Sequence, residues 1–204
     1  MRPAKTSPIH SPPSTRSTCV AVRPIVFGHS MGGFVAMLYG ARHPGHARAL
    51  ILQSTTARHD LERIVEGFRR VGGDEVAELA RRDYSGDDVS ADEWARVFAT
   101  FGPQVPGQED LARGIRNRSV NPRGMELMRQ LDVVDQLSRI TSATLVCVGE
   151  LDPVTPVGAS QEIADALGPG IGRLEVLAGA GHFPWLDRPD AYWALMSDFI
   201  TRTA

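Results

Sequence analysis

The chain has 204 residues, 42% hydrophobic and 23% charged, with a formal net charge of −2. That length fits one domain with a sizeable core, and near-neutrality gives no electrostatic basis for binding nucleic acid or an anionic membrane. No stretch approaches the roughly 18 apolar residues of a membrane span, and the two cysteines, Cys19 and Cys147, fit neither a disulfide framework nor a metal-ligand spacing.

A reduced, cytoplasmic protein with no metal or cofactor is therefore expected. Residues 1–20 carry Pro3, Pro8, Pro12 and Pro13 among polar and basic residues, which predicts a flexible leader. It lacks the apolar run that a targeting peptide needs. Residues 25–27 are apolar and break at Gly28, and residues 34–39 are apolar again until Pro44. That pattern predicts a strand, a tight turn and a helix, and residues 49–52 predict the next buried strand of a parallel βαβ unit.

From residue 57 to 139 the periodicity is helical. Leu61, Ile64, Val65, Phe68 and Val71 share one helix face, Ser90 and Glu93 form a capping box before Trp94, Val97, Phe98 and Phe101, and Met125, Met128 and Leu131 suggest a third stripe. Strand patterning resumes at 143–148, where Cys147 reads as a small buried hydrophobe, and at 174–177; helices are expected around 160–167 and 192–200. The expected organisation is an α/β core over 21–56 and 140–204, with 57–139 inserted as a helical lid.

The sequence Gly28-His29-Ser30-Met31-Gly32 matches G-x-S-x-G. Alone the spacing is weak, but a strand running into it and a helix leaving it are the context in which a serine is pushed out on a strained turn. Gly28 and Gly32 are the small residues expected to relieve the crowding, with His29 completing the elbow. A serine hydroxyl needs a base to take its proton and a carboxylate to orient that base. Asp152 and His182 follow Ser30 in the order of such α/β triads, and each lies just past the C-terminal end of an expected strand, where open parallel sheets bind ligands.

Each residue also has a plainer reading: Ser30 as a helix cap, Asp152 as the cap of the Pro153 turn, His182 as a loop histidine. Glu150 competes with Asp152, which the Pro153 turn favours. His29 reads as a packing or supporting residue.

These three segments, "IVFGHSMGGFVAMLYGARHPGHARALIL", "ATLVCVGELDPVTP" and "GAGHFPWLDRPDAY", resemble the α/β-hydrolase superfamily, in its branch of lidded esterases, lactonases and proline-iminopeptidase-like enzymes. The resemblance implies that Ser30, Asp152 and His182 are the triad and that the Met31 N–H is one half of an oxyanion hole. Members normally carry on the order of eighty residues before the nucleophile, including the loop that supplies the second oxyanion N–H. Here 29 residues precede Ser30 and none forms a His-Gly pair, so the chain resembles an N-terminally truncated core.

Two functions follow. One is a serine hydrolase cleaving a carboxylic ester, lactone or small amide, slowed by the lost oxyanion donor. The other is a catalytically weak or inactive remnant that acts as a protein-interaction module through an exposed sheet edge. Separately, the bare edge of the strand before Ser30 is expected to be covered by residues 1–22 or by the same edge of a second chain in a homodimer. Trp94, Phe98, Phe101 and Trp185 are candidates to line a pocket. Arg113, Arg116, Arg118 or Arg123 would suit a substrate carboxylate, and Asp83, Asp87, Asp88 or Glu93 a substrate amine.

Overall fold

The computed structural model describes residues 23–107 and 120–203. The leader, Cys19, Arg113, Arg116 and Arg118 lie outside the described residues. The fold is α/β. Four parallel strands, β1 (Ile25–His29), β2 (Ala49–Gln53), β3 (Ala143–Gly149) and β4 (Gly172–Leu177), lie in the order β1-β2-β3-β4. Alternation within the strands builds a core on each face. Leu50, Leu52 and Val146 pack with Phe34 and Met37 of α1 (Met31–Arg42) and, beyond β3, with Ile163 of a later helix. Ala49, Ile51, Leu145 and Cys147 face the other way, onto Tyr192, Met196 and Phe199 of the closing helix. Cys147 is thus a buried small residue in the sheet.

Among the described residues between β2 and β3 the regular structure is mainly helical. Asp60 caps α2 (Leu61–Ser85) by accepting from the Arg63 N–H, and the helix is interrupted at Gly73, where φ is 77°. Ile64, Val65 and Phe68 are buried, together with Val76 and Leu79 beyond the interruption. Ser90 and Glu93 form both bonds of the capping box at the start of α3 (Ala91–Phe98). The methionine stripe on α4 (Val120–Gln130) is divided between two cores: Met125 packs against Ile64 and Phe68, while Met128 packs toward the sheet with Leu131. A 3-10 turn, Val134–Arg139, returns the chain to β3.

α5 (Val157–Ala166) joins β3 to β4, and α6 (Pro184–Asp187) and α7 (Pro189–Arg202) end the chain. Both short crossovers, α1 and α5, lie on one face, as right-handed parallel connections require in a sheet whose strands are added in order. All four strands therefore end on one edge, and Ser30, Ser54, Asp152 and His182 stand just beyond those ends. Among the described residues no strand pairs the outer side of β1, and Phe27 (50%) and Val35 (65%) are exposed beside it. No helix among the described residues is long and apolar enough to cross a membrane.

Candidate active site

Ser30 sits between β1 and α1 at φ 53°, ψ −124°, a conformation that costs a non-glycine residue about 1–3 kcal/mol. Three bonds hold it there. Its N–H donates to Gln53 O (3.0 Å), and its carbonyl accepts from Gly33 N (2.9 Å) and Thr55 Oγ1 (2.8 Å). The hydroxyl makes no capping bond to α1, so the helix-cap reading of Ser30 fails and Oγ is left available.

The glycines divide differently from the sequence expectation. A Cβ on Gly28 would lie 2.4 Å from Gly32 O, so that position must be bare. Among the described residues a Cβ on Gly32 would meet nothing within 4 Å, so the crowding expected at Gly32 is not found among them. Gly33 is the second crowded position, where a Cβ would strike Thr55 Oγ1 at 2.4 Å.

Asp152 and His182 come together from the ends of β3 and β4. His182 Nδ1 donates to Asp152 Oδ2 at 2.9 Å, with Asp152 fully buried and His182 3% exposed. That bond fixes the tautomer: the proton is on Nδ1, and Nε2 presents a lone pair. Thr155 Oγ1 also donates to Oδ2, and the N–H groups of Val154 and Thr155 donate to Oδ1. Asp152 thus caps the Pro153 turn with one oxygen and holds His182 with the other. Burial pushes its carboxyl up, but the charge and hydrogen bond of His182, with the Thr155 donors, hold it below the ordinary aspartate value. Glu150 is exposed and accepts from Gly179 N, away from His182.

The loop carrying His182 is tied down by backbone and side-chain bonds from three places in the chain. Its N–H donates to Phe101 O at 2.6 Å, and Asp187 accepts from Gly181 N and Gln104 N. Asp187 lies in the segment 179–192, but its sequence position alone assigns it no role. His29 steadies the same loop from the other side. Its Nε2 bonds to the His182 carbonyl at 3.1 Å, and its ring packs against His182 and edge-on to Trp185.

Burial, with the nearby His182, lowers the His29 pKa from 6.5 to about 4. The unfolded imidazole binds its proton first as pH falls. The neutral His29 therefore contributes fully above pH 6.5, and its contribution, about 3 kcal/mol, is lost between pH 6.5 and 4. Urea denaturation across that range should show His29→Gln with a flatter loss of stability than the parent chain.

Ser30 and His182 both line a cleft of about 570 Å³, which also presents Tyr84, Trp94, Phe101 and Val154. Among the described residues Ser30 makes no hydrogen bond to His182; such contacts are often formed only when substrate binds. A smaller apolar pocket of about 30 Å³ opens beside Ser30 under Phe34, Ile64 and Met128. Met31 begins α1, so its N–H belongs to the free donors of a helix N-terminus.

Of the candidate lining aromatics, Trp94 and Phe101 face the cleft. Phe98 instead packs on both of them, and Trp185 packs on His29. Asp83, Asp87 and Asp88 border the cleft, whereas Glu93 is held by its capping box and by Arg82. Arg123 pairs with Glu126. The arginine at the cleft is Arg129, which no motif marks; its four-residue offset from Met125 puts the two on one helix face.

A family model described as "Alpha/beta hydrolase family" matches residues 13–195. The chain belongs to the α/β-hydrolase family. Over 181 residues it is 27% identical to the pimeloyl-[acyl-carrier protein] methyl ester esterase of Neisseria meningitidis serogroup A, covering 86% of this chain and 56% of that protein. It is 27% identical over 160 residues to a monoacylglycerol lipase of Mycolicibacterium smegmatis, covering 78% of this chain and 54% of the lipase. The chain thus spans little more than half the length of these α/β-hydrolase relatives. Among solved structures it resembles a proline iminopeptidase of Mycobacterium smegmatis, with a TM-score of 0.68 at 20% identity, covering 89% of this chain and 66% of that one. At that identity the likeness concerns the fold.

Proposed function

We propose that this α/β-hydrolase is a serine hydrolase that cleaves a carboxylic ester, lactone or small amide through an acyl-enzyme. The observation that carries the reading is the 2.9 Å bond from His182 Nδ1 to buried Asp152, beside a cleft shared with a strained serine whose hydroxyl caps nothing. In this mechanism Ser30 Oγ attacks the substrate carbonyl and passes its proton to His182 Nε2. Asp152 keeps the resulting imidazolium oriented and balanced. The Met31 N–H binds the developing oxyanion, and His182 returns the proton to the leaving group before activating a water to release the acid.

The relatives' names, an ester esterase and a lipase, support ester chemistry. The helices between β2 and β3 supply Tyr84, Trp94 and Met125 to the cleft, which supports a lid role for them. The exposed Phe27 and Val35 at the β1 edge support a cover there, by residues 1–22 or by a second copy.

The purified chain is expected to hydrolyse short-chain 4-nitrophenyl esters, with turnover falling to background in Ser30→Ala. Equal rates for the two would overturn the proposal.

A further inference from the structure

Arg129 stands in the last turn of α4 and lines both the open cleft and the small apolar pocket, and Ser30 lines both as well. Arg129 is partly buried, and its charge acts on the neighbouring Asp83 without a direct contact. Among the described residues its guanidinium makes no hydrogen bond, and no carboxylate lies within 4 Å of it. It is nevertheless held in place. The backbone of Gly86, at the C-terminal end of α2, approaches so closely that a Cβ there would lie 3.0 Å from Arg129 Cζ. The carbonyl end of a helix favours a cation beside it, so the charge is supported while the N–H fork remains unused.

The inner pocket that Arg129 and Ser30 share is lined largely by apolar groups, Ile64, Met125 and Met128 among them, with Thr55, Thr56 and His59 beside them. A guanidinium and a candidate nucleophile that line the same largely apolar pocket suit a molecule in which a carbonyl and an anion are joined by a short hydrocarbon chain.

We propose that Arg129 is an anion subsite and that the substrate is an ester carrying a carboxylate at the far end of its acyl chain. This rests on the reading of Ser30 as nucleophile. Asp83, Asp87 and Asp88 also face the cleft. Asp87 and Asp88 are exposed at its rim, where water and salt screen them; burial pushes the Asp83 carboxyl up and the charge of Arg129 pulls it down, so Asp83 and a bound anion compete for Arg129.

The test uses Ser30→Ala, so that ligands bind without turnover, and compares by calorimetry the anionic monomethyl adipate with neutral dimethyl adipate. Monomethyl adipate should bind at least tenfold more tightly, with a preference that falls as salt rises. Adding Arg129→Met should abolish the preference, while Arg129→Lys, which keeps the charge, should retain part of it; circular dichroism checks that each variant is folded. Equal binding of the two esters, binding of neither, tighter binding of methyl 6-aminohexanoate, or a preference that survives Arg129→Met would each overturn the subsite. Turnover is read separately in the parent chain with mono-4-nitrophenyl adipate. An intact binding preference without turnover would overturn the hydrolase reading and leave the anion subsite standing.

Discussion

Replacing Asp152 with asparagine is expected to lower kcat on a 4-nitrophenyl ester by about 10⁴-fold while leaving the chain folded. The asparagine oxygen can still accept from Val154 N and Thr155 N, as Oδ1 does now, so the turn after β3 survives. The amide nitrogen then stands where Oδ2 accepts from His182 Nδ1 and Thr155 Oγ1. Two donors facing one another repel, and His182 escapes by moving its proton to Nε2. The imidazole then offers no lone pair to the Ser30 proton. A melting temperature near that of the parent, with activity lost, is the expected pair of results. Asp152→Ala differs, because it removes the acceptor of four buried donors, Val154 N, Thr155 N, Thr155 Oγ1 and His182 Nδ1, at about 1–3 kcal/mol each and should unfold far more readily. An Asp152→Asn chain that keeps a tenth or more of parental kcat would remove Asp152 from the mechanism.

Gly28→Ala is expected to destabilise the chain by about 3 kcal/mol or more, lowering the melting temperature by roughly 10 °C. The added methyl would lie 2.4 Å from Gly32 O and 2.7 Å from Gly33 Cα. Both are backbone atoms in the first turn of α1, so no flexible side chain can give way. The strain falls on the turn that holds Ser30, and activity should fall with stability. Gly32→Ala is the control: among the described residues nothing lies within 4 Å of its added Cβ, so urea denaturation should place it within about 1 kcal/mol of the parent. Equal losses for the two variants would contradict this account of the elbow.

The contrast between those glycines shows how far the sequence could be read. The pattern G-x-S-x-G with a strand before and a helix after was enough to expect a strained serine, because the local backbone dictates that geometry. It could not say which glycine was crowded, since the atoms pressing on Gly33 come from Thr55, beyond β2. The approach of Asp152 to His182 was legible for a topological reason: parallel strands put their C-terminal ends on one edge, so residues just past β3 and β4 meet. The parallel sheet itself followed from short apolar runs separated by helical periodicity.

What stayed hidden depended on contacts between distant segments. Asp187 closes the His182 loop by binding N–H groups at Gly181 and Gln104, and Thr55 holds the Ser30 carbonyl. The sequence alone assigns neither residue a role. Phe98 and Trp185 look like pocket residues by type, yet the aromatic cluster around Phe101 and His29 uses them as packing. Arg129 was overshadowed by more numerous arginines earlier in the same region.

The most direct measurement is covalent labelling. A fluorophosphonate phosphorylates a serine only where a base has activated the hydroxyl. After reaction and proteolysis, mass spectrometry should find one adduct, on the peptide containing Ser30, with labelling lost in Ser30→Ala and strongly slowed in His182→Ala. An unlabelled Ser30 in the folded chain, or labelling as fast in His182→Ala as in the parent, would contradict the claim that Asp152 and His182 make Ser30 a nucleophile.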